Sequence, residues 1–155
     1  MKKIITILFL IFSTFSFARK APEFSLVDQY NVTHSIESHK GKIIFLNFWA
    51  TWCPPCKKEM PDIEELYKEY EENKKDVIIL GINNEDREKV KNFLEKNSYT
   101  FPTVTADNNI LREYRISAFP TSFLIGKDGE VYAYAVGAMT KEQIKEAIEE
   151  LLNKK

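Results

Sequence analysis

Phe45-Leu46-Asn47-Phe48-Trp49-Ala50-Thr51-Trp52-Cys53-Pro54-Pro55-Cys56-Lys57 decides how the rest of the chain is read. Ile43 to Phe48 is almost wholly apolar, the pattern of a central strand covered on both faces. Cys53 and Cys56 follow directly and are the only cysteines in the 155 residues. Beyond them Met60, Ile63, Leu66, Tyr67 and Tyr70 recur at helical spacing, with Lys, Glu and Asp between them. A strand therefore runs into a cysteine pair at the start of an amphipathic helix. Pro61 lies inside that helix and predicts a kink, because it removes one backbone donor.

Two thiols at this place imply redox chemistry. The thiolate is the attacking species, and a free cysteine is mostly protonated at neutral pH. Backbone N–H groups and the axial dipole at a helix start favour the anion. The reading assigns an exposed Cys53 as nucleophile and an inward Cys56 as resolving thiol. Cys53 attacks a partner disulfide, and Cys56 then releases the reduced partner. Pro54 and Pro55 lack N–H groups, which leaves mainly the Cys56 N–H to face the Cys53 sulfur. They also stiffen the loop and favour the helix start. A bridge closing so short a loop removes little chain entropy, so its value is chemical rather than structural.

The N-terminus reads as an export signal spanning residues 1–18. Lys2 and Lys3 precede an apolar run from Ile4 to Phe12 broken only by Thr6, and Ser16-Phe17-Ala18 supplies a small-residue cleavage site. An uncleaved anchor is the alternative, though the run is short for a span of ~20 residues. Cleavage leaves one domain, residues 19–155. Losing Lys2 and Lys3 reduces 22 basic residues to 20 against 23 acidic, a net charge of −3. A mildly acidic surface without basic clusters argues against nucleic-acid binding.

Ala21 to Thr33 alternates in period two and predicts a β-hairpin around Asp28-Gln29-Tyr30-Asn31. Val77 to Ile82 reads as a second buried strand, and Glu85 to Asn97 as a helix carrying Val90, Phe93 and Leu94. Phe101 to Val104 is extended, and Ile110 to Tyr114 is a helical turn. Phe123–Ile125 and Val131–Val136 form a hairpin through Asp128-Gly129. Thr140 to Gln143 has capping-box spacing ahead of a last amphipathic helix with Ile144, Ala147, Ile148, Leu151 and Leu152. The order predicts an α/β layer fold, a mixed sheet flanked by helices.

The segment Trp49 to Lys57 with Pro61 resembles the exported thioredoxin-like thiol–disulfide oxidoreductases of the ResA/TlpA/CcmG group. Ala21-Pro22-Glu23-Phe24 with Gly41-Lys42 is similar to that group's N-terminal hairpin entry. Gly81-Ile82-Asn83-Asn84-Glu85-Asp86-Arg87 resembles the lead into its inserted helix, and Ala118-Phe119-Pro120-Thr121-Ser122-Phe123-Leu124-Ile125 its cis-proline loop. The resemblance implies a thioredoxin fold with an N-terminal β-hairpin extension and a central helical insertion. It implies a cis Pro120 beside Cys53, whose neighbours bind an extended stretch of substrate backbone. Trp52 reads as shaping the surface around the thiol or as packing, Phe119 as a contact residue or as filling a gap beneath Pro120, and Pro54 and Pro55 as supporting residues. It further implies a monomer that reduces disulfides in client proteins outside the cytoplasm, often apocytochrome c, and is recharged by a membrane electron donor. No metal or organic cofactor is called for. Asn47 stands where cytosolic thioredoxins carry a buried Asp, and Asn cannot act as that base. Glu85 and Asp86 could place a carboxylate near the site, or could simply start a helix favourably.

Other readings fit less well. His34 and His39 with the cysteines allow a zinc site numerically, but a redox pair at a strand-to-helix turn explains the cysteines better. A copper metallochaperone of the Sco type wants a wider cysteine spacing and a downstream histidine. A peroxidase of the peroxiredoxin type wants Pro and Thr or Ser where Leu46 and Ala50 stand. A disulfide-forming oxidase differs only in potential, and a peptide-binding module would not require both cysteines. Trp49 reads as core, and the Lys/Glu-rich stretches Lys68–Lys75 and Lys141–Lys155 as solvated helix faces.

Overall fold

The structure, a computed structural model, describes residues 19–154. The proposed signal segment 1–18 lies outside them. Two apolar runs form the centre of a sheet. Strand β4 (Ile43–Phe48) and strand β5 (Val77–Asn83) pair in parallel and are buried at every position. Alternation sends their side chains to opposite faces. Ile43, Phe45, Val77 and Ile79 enter one apolar cluster, and Ile44, Leu46, Phe48, Ile78, Leu80 and Ile82 enter the other. Both clusters need cover, which is why helices and a hairpin pack on the two sides.

Helix α1 (Pro54–Glu69) connects β4 to β5 and buries Cys56, Glu59, Met60, Ile63 and Leu66 along one stripe. It continues past Pro61 as one helix, so the proline does not end it. Helix α2 (Arg87–Lys96) adds Val90 and Leu94 on the same face, and helix α4 (Lys141–Leu152) adds Ile144 and Ile148. The opposite face is covered by strands β2 (Ser25–Val27) and β3 (Thr33–Ser35) and by helix α3 (Asn108–Glu113). Strand β6 (Thr103–Thr105) extends the sheet in parallel beside β5. Strands β7 (Thr121–Ile125) and β8 (Glu130–Val136) extend it antiparallel on the other side, with β1 (Arg19–Lys20) at the edge. The six-stranded order is β1-β8-β7-β4-β5-β6, and β2-β3 is a separate ribbon. This is the thioredoxin-like α/β arrangement, with the expected hairpin extension and helical insertion.

Polar anchors set boundaries that periodicity leaves open. The expected helix from Glu85 begins at Arg87, because the Asp86 side chain caps it through Lys89 N–H. The turn expected from Ile110 begins two residues earlier, where Asp107 accepts from Asn109 N–H and Ile110 N–H. The Thr140–Gln143 capping box is present. At the hairpin, Asp28 Oδ1 accepts from Tyr30 and Val32 N–H. The Gln29 side-chain amide bonds Phe101 O and Thr103 N–H, which fastens the ribbon to β6. On the solvated faces, Lys141 and Lys145 also bridge to Glu65 and Glu69 across the α1–α4 contact.

Candidate active site

Cys53 is the N-cap of α1, and its sulfur accepts from Cys56 N–H at 3.2 Å. Pro54 and Pro55 occupy the first two helical positions, so Cys56 supplies the first N–H the helix can offer. The two sulfurs are joined in a disulfide with the Cα atoms 5.3 Å apart. The sequence reading expected an exposed Cys53. Here it is only 2% exposed, bonded to Cys56 and packed in the α1-side core cluster.

The strand-to-helix loop is held from the side. Glu85 accepts from Thr51 N–H and the Thr51 hydroxyl, both at 2.7 Å, and from Asn83 Nδ2 and Lys89 Nζ. Burial raises the Glu85 carboxyl, but these hydrogen bonds outweigh it and hold the group down at about 2. Glu85 is thus a strap for the residues leading into Trp52 and Cys53, and Asp86 is a helix cap.

Trp52 is 64% exposed, and its ring meets Phe119 edge-on with centroids 5.9 Å apart. The cysteine loop and the loop before β7 therefore lie together. The Phe119–Pro120 peptide is cis, as the resemblance implies. Trp49, by contrast, is wholly buried among the α1-side core residues. His34 bonds His39 and the Asp28 carboxylate, each at 2.9 Å, while the cysteines bond each other.

Glu59 is a site residue that the sequence pattern does not single out. It is 2% exposed and lies three residues after Cys56 on the buried stripe of α1. Its Oε2 accepts from Asn47 Nδ2 at 3.1 Å and its Oε1 from Met139 N–H at 3.0 Å. Burial raises its carboxyl to about 7, partly offset by the Met139 and Asn47 hydrogen bonds and reinforced by Asp62. The available signal was an acidic residue at a position in phase with Cys56, Met60 and Ile63. A carboxyl poised near neutrality can take and return a proton.

A dithiol/disulfide pair at a helix start, flanked by a cis-proline loop on a mixed sheet, defines a thioredoxin-like thiol–disulfide oxidoreductase. Residues 17–134 match the AhpC/TSA family. The thiol–disulfide oxidoreductase ResA of Geobacillus kaustophilus is 42% identical over 133 residues, covering 84% of this chain and 75% of that protein. A thiol:disulfide interchange protein of the thioredoxin family from Chlorobium tepidum superposes with a TM-score of 0.79 at 31% identity, covering 88% of this chain and 97% of that one. The exposed lipoprotein thioredoxin Etrx1 of Streptococcus pneumoniae gives 0.75 at 27% identity, with 84% and 100% covered. The chain belongs to the AhpC/TSA family and, within it, stands with the ResA-like oxidoreductases.

Proposed function

We propose that the protein is an extracytoplasmic reductase of client-protein disulfides, with Cys53 as nucleophile and Cys56 as resolving thiol. One observation carries this reading. The Cys53 sulfur faces the first free N–H of α1, and the nearly neutral-range Glu59 carboxyl lies one turn further along the same buried stripe. In the reduced protein the Cys53 thiolate attacks a client disulfide. A mixed disulfide forms and one client sulfur leaves as thiolate. Cys56 gives its proton to Glu59, attacks the Cys53 sulfur and expels the second client thiolate. The client gains two electrons and the enzyme is left as the disulfide.

Trp52 and the half-buried Phe119 form the client-facing surface, Pro120 next to them is itself buried, and Pro54 and Pro55 restrain the loop. The reductive direction, the apocytochrome c client and recharging by a membrane electron donor are what the ResA-like resemblance favours. Export is supported by the pattern of residues 1–18 and by an exposed lipoprotein among the structural relatives. No helix among the described residues is long and apolar enough to cross a membrane. We take the working form to be a monomer of residues 19–155.

Cys56→Ser tests the assignment. In the native cell it is expected to accumulate mixed disulfides through Cys53, with apocytochromes or haem-attachment factors as the trapped partners. A broad spread of newly exported proteins would point to disulfide formation instead. No trapped conjugates would remove the exchange mechanism.

A further inference from the structure

Behind the cysteine pair three groups meet whose hydrogen-bonding roles can each be reversed. Asn47 Nδ2, on β4, donates to Glu59 Oε2 at 3.1 Å and to Ser122 Oγ at 2.9 Å. Asn47 is 1% exposed, and its Oδ1 has no partner among the described residues. A carboxylate only accepts, but a carboxylic acid also has an O–H to give, and a serine hydroxyl serves either way by rotating. Turning the Asn47 amide over exchanges Nδ2 and Oδ1 and leaves the side-chain shape unchanged. In the orientation seen, the amide gives hydrogens to a carboxylate and to Ser122. In the turned orientation, Oδ1 accepts from the carboxylic acid and from the Ser122 hydroxyl. As seen, the amide atom facing away is Oδ1, without a partner among the described residues; after the turn it is the Nδ2 group with two N–H bonds to leave unpaired, so the turn requires the new bonds from protonated Glu59 and Ser122 to outweigh that larger cost. The proton on Glu59 decides the orientation.

We propose that Asn47 is a positioning residue for thiol exchange whose side-chain amide turns over each time Glu59 gains or loses its proton, with the Ser122 hydroxyl reversing in step. This rests on the reading of Glu59 as the group that takes the Cys56 proton. A fixed donor at position 47 would hold Glu59 in its charged form and oppose proton uptake. An amide that turns satisfies both forms, so the proton comes and goes while β4 and α1 stay packed. It also gives Asn at this position a use that an Asp could not fill, since a second carboxyl would have to share one proton with Glu59. The titratable group acting on Glu59 is Asp62 on its own helix, with Cys56 one turn earlier on the same buried stripe. Among the described residues, the neutral Asn47 on β4 and the Met139 N–H before α4 hydrogen-bond Glu59, and the neutral Ser122 on β7 bonds Asn47. The Met139 N–H stays on Oε1, so the proton belongs on Oε2, facing Asn47.

Nuclear magnetic resonance on the reduced protein tests this directly. The Glu59 carboxyl carbon and the Asn47 side-chain amide carbon and nitrogen are followed from about pH 5 to about pH 9. Both sets of signals are expected to move with one midpoint. Asn47 signals that stay flat while Glu59 titrates would overturn the proposal, as would a Glu59 that keeps one form throughout. A second measurement uses Asn47→Leu. The Glu59 midpoint is expected to move by less than about half a pH unit, whereas loss of a fixed donor would raise it by about one unit or more. The same reduced samples are offered a protein disulfide. Normal exchange with flat Asn47 signals would sink the amide alone, and absent exchange would sink the oxidoreductase reading beneath it.

Discussion

At the scale of single residues, Glu59 ties chemistry to stability. Its carboxyl titrates near 4.5 in the unfolded chain and at about 7 when folded. Between those values the folded state holds more protons, so stability falls as pH rises. The penalty is absent below the unfolded value and complete above the folded one, on the order of 3 kcal/mol. Glu59→Gln is expected to remove this part of the slope, so that the variant gains on the wild type as pH rises from 5 to 8. Thermal unfolding of the oxidised forms across that range checks it, and parallel curves would contradict it. Cys53 offers a second case. Pro55→Ala restores an N–H at the second helical position, which gives the thiolate another donor. The Cys53 pKa is expected to fall by about half to one unit, read from thiolate absorbance against pH. No change would mean that the restored N–H does not reach the sulfur.

At the scale of elements, the long periodic segments were plain in the sequence and their ends were not. The runs Ile43–Phe48 and Val77–Ile82 have to be buried on both faces, so their place in the sheet follows from hydrophobicity alone. Helix starts depend on which side chain captures the orphan N–H groups. Asp86 and Asp107 do this, and either could equally have been a first-turn acid. The Arg19–Lys20 strand carries no apolar pattern and exists through pairing with β8. Gly81 is similar, because nothing local marks it. A Cβ there would stand 2.5 Å from the Thr103 hydroxyl and 2.9 Å from the Trp49 indole nitrogen. Gly81→Ala is therefore expected to destabilise by about 1–3 kcal/mol, measured by denaturant unfolding, and an unchanged midpoint would show that the Thr103 and Trp49 side chains give way freely. Glu85→Ala releases Thr51 and is expected to cost about 1–3 kcal/mol. It should also raise hydrogen exchange at the Thr51 amide, and an unaffected Thr51 would remove the strap.

At the scale of the whole molecule, the sheet brings together what the chain keeps far apart. The cysteine loop follows β4 and the cis-proline loop precedes β7, and these strands are antiparallel neighbours with Phe48 opposite Thr121. The cysteine pair was legible because two thiols before a helical pattern have few other uses. The buried network was not, because Asn47, Glu59, Ser122 and Met139 meet only through long-range pairing. Asn47 alone looked like a lost base, and Glu59, bonded to it from α1, stands on another element as the proposed proton acceptor. Stopped-flow reaction of the reduced domain with a protein disulfide, followed by tryptophan fluorescence, tests the thiol-exchange assignment most directly. The domain is expected to exchange at least about tenfold faster than a free Trp52–Lys57 peptide at neutral pH. A domain no faster than the peptide would contradict it.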